Sequence, residues 1–323
     1  MRAALRRSSF SGHVFVTCLA LTFAVPVSAG AQSRFSGLVV FGTSLSDSGN
    51  AFALSGDAGT PADFFVNPLL IPSAPYAAGG HHFSNGATWI EQYARSVALS
   101  QSTRPALATT NPAATNFAVG AARSYDDGIN YNLMRQVQTF LDRSGGTAAS
   151  DQLYVIEMGS NDIRDSFQVY ATGGNGGPIL HAALMSIAAA IQTLYAAGAR
   201  EFLVWVAPNV ALTPAIRSLG TTAGTLATAV TQGFNNGLDQ VVAQLSFALP
   251  SAAFHRLDVW RLLNEINGDP SAFGLVSVTT PCVTPDEQPF TCQHPDEYLF
   301  WDGIHPTKAG HQWLAREAAA VLQ

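Results

Sequence analysis

The chain has 323 residues, 47% hydrophobic and only 12% charged, enough apolar material for a sizeable core and too little charge for a disordered polymer. Its formal net charge is −6 and Lys308 is its only lysine, so no basic patch for nucleic acid or anionic lipid can be assembled.

Residues 1–31 read as a secretory signal segment. Arg2, Arg6 and Arg7 make a basic start, "HVFVTCLALTFAVPV" is an apolar run short of a bilayer span, and "VSAGA" offers cleavage after Ala29 or Ala31. Cys18 lies inside this segment without the context of a lipoprotein site. Removing the segment takes the formal charge from −6 to −9. No later stretch reads as a membrane helix. The expectation is a soluble monomer, secreted or periplasmic, with one domain over 32–323.

Short apolar runs then alternate with helical patterns. "SGLVVFG", "TNFAVGA", "QLYVIEMG", "EFLVWVAP" and "AAFHRLDV" are strand-like and bounded by Gly, Pro or polar residues. Leu180, Leu184, Ile187, Ile191 and Leu194 recur at helical spacing, as do Leu226, Val230, Phe234, Leu238, Val241 and Leu245. A last helix is predicted from Thr307 through Leu322, just after Pro306. This alternation predicts a three-layer α/β/α sandwich around a mostly parallel sheet. Two cysteines follow the signal segment, Cys282 and Cys292, and an even number in an oxidising compartment favours a disulfide between them. Zinc is not expected, because His294 alone does not complete a ligand set with that pair.

In such a sheet ligands sit beyond the carboxyl ends of the strands. The first strand ends in Gly42, Thr43 and Ser44, the second in Gly120, and the third in Gly159, Ser160, Asn161 and Asp162. "WDGIHPTKAGH" places Asp302 three residues before His305, ahead of the last helix. A serine hydroxyl needs a base to become a nucleophile; His305 can be that base, and Asp302 can fix its tautomer. Backbone N–H groups of Ser44 and Gly120, with the Asn161 amide, can hold an oxyanion. Each feature alone also fits a turn, a packing glycine or a helix cap.

Together they resemble the GDSL-type, or SGNH, esterase/lipase family. "FGTSLSDSGN" resembles its nucleophile block, "NFAVGAA" and "GSNDI" its oxyanion blocks, and "DGIHPT" its last block. The resemblance implies Ser44, Asp302 and His305 as catalytic residues and Ser44, Gly120 and Asn161 as the oxyanion hole. It implies no cofactor or metal, and a small-molecule or lipid ester as substrate. "PYAAGGHHFSNGATW" is similar to the longer secreted and plant-like branch. No barrel-sized extension follows Gln323, which argues against the autotransporter members. The chain departs at Thr43, where the family usually has Asp. Thr43 is expected only to shape the turn, so Thr43→Asp should change kcat by no more than one charge-assisted hydrogen bond, about 1.5–3 kcal/mol.

Other residues receive structural readings. Phe64, Phe65, Tyr76, Phe83 and Trp89 fit core packing better than an acyl pocket, and His81, His82 and His311 read as solvated. Asp47 and Asn50 suit holding the nucleophile loop. Acyl transfer to an alcohol, phospholipid cleavage, and a degenerate lipid- or glycan-binding homologue are the alternatives to ester hydrolysis. Paired-carboxylate glycoside hydrolysis fits poorly, because nothing makes Glu157 and Asp162 face one sugar.

Overall fold

A computed structural model describes residues 34–55, 81–283 and 291–323. The signal segment and Phe64, Phe65 and Tyr76 lie outside the described residues. Four parallel strands form the central sheet in the order β1 (Leu38–Gly42), β2 (Leu153–Glu157), β3 (Glu201–Val206) and β4 (Ala253–Asp258). Their apolar runs are continuous where both faces are covered, so neither side needs polar residues. Val39, Phe41, Tyr154, Ile156, Phe202 and Val204 enter one core, and the alternate residues Leu38, Val40, Leu153, Val155, Leu203 and Trp205 enter the other.

The described helices are α1 (Asn50–Ser55), α2 (Trp89–Ser96), α3 (Leu133–Arg143), α4 (Ser160–Ala171), α5 (Gly177–Ala197), α6 (Pro214–Arg217), α7 (Thr221–Ala248), α8 (Val259–Gly268) and α9 (Lys308–Val321). Helices α3, α5 and α7 cover the first face, and α2, α8 and α9 the second. The predicted stripes are the buried ones: Ile187, Ile191 and Leu194 on α5, and Val230, Phe234, Leu238 and Leu245 on α7, with Val242 rather than Val241 fully covered. Burying each such side chain stabilises the fold by about 1.5–3 kcal/mol. The architecture is the expected three-layer sandwich.

Two expectations need correction, and one element was not foreseen. Residues 115–121 lie beside β1 without forming a regular strand. Phe117 N–H donates to Val40 O at 2.7 Å and Val119 N–H to Gly42 O at 3.1 Å. The Asn116 side chain, however, accepts from Ala118 N–H at 3.0 Å, a local bond that competes with a ladder. Second, α5 is by length and composition long and apolar enough to cross a membrane. Here Ala183, Ile187, Ala190, Ile191 and Leu194 pack into the core. Third, a separate pair, β5 (Ser277–Pro281) and β6 (Tyr298–Phe300), was not legible from its short, mixed residues. Cys282 and Cys292 are joined beside it, with Cα atoms 4.8 Å apart, and pack with Val283 and Trp301.

Candidate active site

The chain leaves β1 in a tight turn, with Thr43 O accepting from the N–H groups of Ser46 and Asp47 at 3.1 and 3.0 Å. This turn is buried, so its backbone groups must find partners inside the protein. Asp47 Oδ1 accepts from Gly49 and Asn50 N–H at 2.8 and 2.6 Å, and Oδ2 from Ala51 and Gly120 N–H at 3.0 and 2.8 Å. Asn50 Nδ2 donates to the carbonyls of Asn116 and Ala118, both at 2.8 Å. Asn116 Nδ2 reaches Ser46 O at 2.8 Å. Gln136 clamps Gly42, accepting from its N–H and donating to its carbonyl at 2.9 Å each. The small polar residues after β1 are therefore the donors and acceptors of a buried turn.

His305 arrives from the loop between β6 and α9. Thr307 starts α9 by accepting from Gly310 N–H at 3.1 Å and donates to Tyr298 O at 2.6 Å. Trp301 N–H closes the loop on His305 O at 2.7 Å. Asp302 Oδ1 accepts from Ile304 and His305 N–H at 2.8 and 2.7 Å, while Oδ2 lies 2.7 Å from His305 Nδ1. That carboxylate assigns the ring proton to Nδ1, which leaves Nε2 to accept from Ser44 Oγ at 2.8 Å. All three side chains are buried. Residues 261 positions apart thus form one hydrogen-bonded line.

Asn161 opens α4 and donates one amide hydrogen to Ala122 O at 2.8 Å, which orients the group and leaves its second hydrogen. Gly120 requires a correction, since its N–H is committed to Asp47 rather than presented to a substrate. Its lack of a side chain has another cause: a Cβ there would lie 2.3 Å from the Phe83 ring, which also stacks on His305 with centroids 5.3 Å apart. Phe83 is therefore packed against the His305 ring. Ala121 follows in the left-handed region at φ 64°.

Of the three histidines read as solvated, His82 and His311 are buried and His81 is half-buried. His82 is buried with Nε2 2.9 Å from Glu91 Oε2, and His81 stacks on Phe52 with centroids 3.5 Å apart. His311 sits on the inward stripe of α9 with Leu314, Ala315 and Ala318. Burial pushes its imidazole down to about 3. Trp89 is core, and its indole N–H donates to Ser46 Oγ at 3.0 Å. Glu157 and Asp162 serve separate loops: Glu157 binds Thr43, and Asp162 accepts from the N–H and hydroxyl of Ser124, both at 2.9 Å. Burial raises Asp162 to about 6.

A pocket opens beside Ser44 and His305, lined by Ser160, Asn161, Arg164 and the apolar Phe167, Pro208, Val210, Ile216 and Ile304. Ser160 Oγ is buried there and meets no hydrogen-bond partner among the described residues, and Arg164 stands 3.7 Å from Asp165. Gln136, Arg164 and the contact of Glu157 with Thr43 were not foreseen, because nothing in their local pattern points at residue 44. Among the described residues, no group of three or more His, Cys, Asp and Glu side chains gathers as a metal site.

Residues 38–318 match the family model described as GDSL-like Lipase/Acylhydrolase. Two GDSL esterase/lipases of Arabidopsis thaliana are similar along nearly their whole length. One is 27% identical, with 94% of this chain and 91% of that protein covered; the other is 28% identical, with 97% and 94% covered. Among solved structures, an extracellular lipase from Streptomyces rimosus is similar at 15% identity and a TM-score of 0.39, covering 88% of this chain and 99% of that one. On the extent of the family match, this chain belongs to the GDSL-like lipase/acylhydrolase family.

Proposed function

We propose that this chain is a secreted serine esterase that hydrolyses carboxylic esters through an acyl-Ser44 intermediate. Ser44 Oγ attacks the ester carbon while His305 Nε2 takes its proton, and Asp302 stabilises the imidazolium. The tetrahedral intermediate places its oxyanion against Ser44 N–H and the second Asn161 amide hydrogen. If the turn after residue 119 supplies a third donor, it is Ala121 N–H, since Gly120 N–H is committed to Asp47. Collapse expels the alcohol with the proton held by His305. Water then attacks the acyl carbon, His305 takes its proton, and Ser44 recovers its own.

The observation that carries this reading is the line Asp302–His305–Ser44, with spacings of 2.7 and 2.8 Å, opening on an apolar pocket. Export is supported by the basic and apolar start and by the Cys282–Cys292 disulfide. The same residues would serve acyl transfer to an alcohol or phospholipid cleavage, which product analysis with phosphatidylcholine and p-nitrophenyl esters separates. A fluorophosphonate should label Ser44 stoichiometrically. Ser44→Ala and His305→Ala should each lower kcat by roughly a million-fold while melting as wild type does. Labelling at another serine overturns the assignment.

A further inference from the structure

Glu157 ends β2 directly across from Gly42 and is completely buried beneath the nucleophile turn. Its Oε2 accepts from Thr43 N–H at 2.8 Å. The Thr43 hydroxyl donates to the same carboxyl at 3.0 and 3.1 Å. Space has been made for this group, because a Cβ on Gly42 would stand 2.7 Å from Oε2. All of these partners are neutral. A buried carboxyl without a cationic partner costs stability that an apolar residue would not. What it holds is both hydrogen-bond donors of the residue preceding Ser44.

We propose that Glu157 is a positioning residue for Ser44, acting through Thr43. This rests on the reading of Ser44 as nucleophile. The carboxyl grips the N–H and the hydroxyl of residue 43 together, which fixes the peptide leading into Ser44. That peptide sets where Ser44 Oγ meets His305 and where Ser44 N–H points. Error there is felt in the transition state more than in substrate binding, so the effect belongs in kcat and not in KM. The proposal also revises the expectation for Thr43→Asp. An aspartate there would press a second carboxyl against Glu157, and two acids in contact cannot both ionise.

A double-mutant cycle on a short-chain ester tests this, with thermal melting alongside. Thr43→Ser keeps the hydroxyl and should retain kcat within about threefold. Thr43→Val and Glu157→Gln should each lower kcat by roughly 5- to 150-fold, the cost of leaving a buried hydrogen-bonding group without its partner, with KM little changed. The double variant should be no worse than the poorer single one, because both remove the same grip. Thr43→Asp should lower kcat at least about tenfold more in the presence of Glu157 than in the Glu157→Gln background, because two acids in contact must share one proton. Additive losses, or lowered melting temperatures with unchanged kcat, overturn the positioning role. If the wild type neither takes up fluorophosphonate at Ser44 nor turns over esters, the nucleophile reading falls and this role falls with it. Normal labelling and turnover with an indifferent cycle defeats only the role of Glu157.

Discussion

Asp47→Asn is the substitution whose cost can be worked most directly from the structure. The native carboxylate is completely buried and accepts four backbone N–H bonds, two on each oxygen, between 2.6 and 3.0 Å. Asparagine has nearly the same shape but replaces one oxygen with a donor. Whichever way the amide turns, two N–H groups then face an N–H: Gly49 and Asn50, or Ala51 and Gly120. Each buried donor left without an acceptor costs about 1–3 kcal/mol, so the variant should lose roughly 2–6 kcal/mol. Against a total stability of about 5–15 kcal/mol this is a large fraction. With a urea slope near 3 kcal/mol/M for a chain of this size, the midpoint should fall by roughly 0.7–2 M. Asp142→Asn, on an exposed carboxylate, is the control and should stay within about 0.5 kcal/mol. Equilibrium unfolding followed by circular dichroism reads both. Coincident midpoints for the two variants would refute the claim that Asp47 organises the turn that carries Ser44.

Two further outcomes follow from the same geometry. Burial raises the Glu157 carboxyl from 4.5 to about 8. An acid whose folded pKa is raised contributes stability that is complete below pH 4.5 and is lost as pH rises toward 8. Stability should therefore decline across that window in the wild type and decline less in Glu157→Gln; equal slopes in urea titrations at several pH values would count against it. Asn161→Ala should lower kcat about 100- to 1000-fold with near-native folding, as expected for losing one oxyanion donor, and a KM effect alone would point to a binding role.

Much of this protein was legible from local pattern. Continuous apolar runs at β1, β2, β3 and β4 report a sheet covered on both faces, and the three-and-four spacing on α5 and α7 marks the stripes that face it. Ser44, Asn161, Asp302 and His305 could be singled out because each stands where a strand ends or a helix begins, and such ends gather at one edge of a parallel sheet. What sequence cannot supply is which groups meet once those ends gather. His311 reads as exposed from its neighbours, yet α9 turns it inward onto the second core. Gly120 reads as an oxyanion donor, yet Asp47, 73 residues away, takes its N–H, and Phe83 explains its missing side chain. Glu157 reads as one more strand residue until parallel register sets it opposite Gly42, under Thr43. The periodicity of a strand or helix is a local property, written into consecutive residues. The partner of a buried polar group is chosen across the fold, by the requirement that each donor find an acceptor away from water, and only the tertiary structure makes that choice.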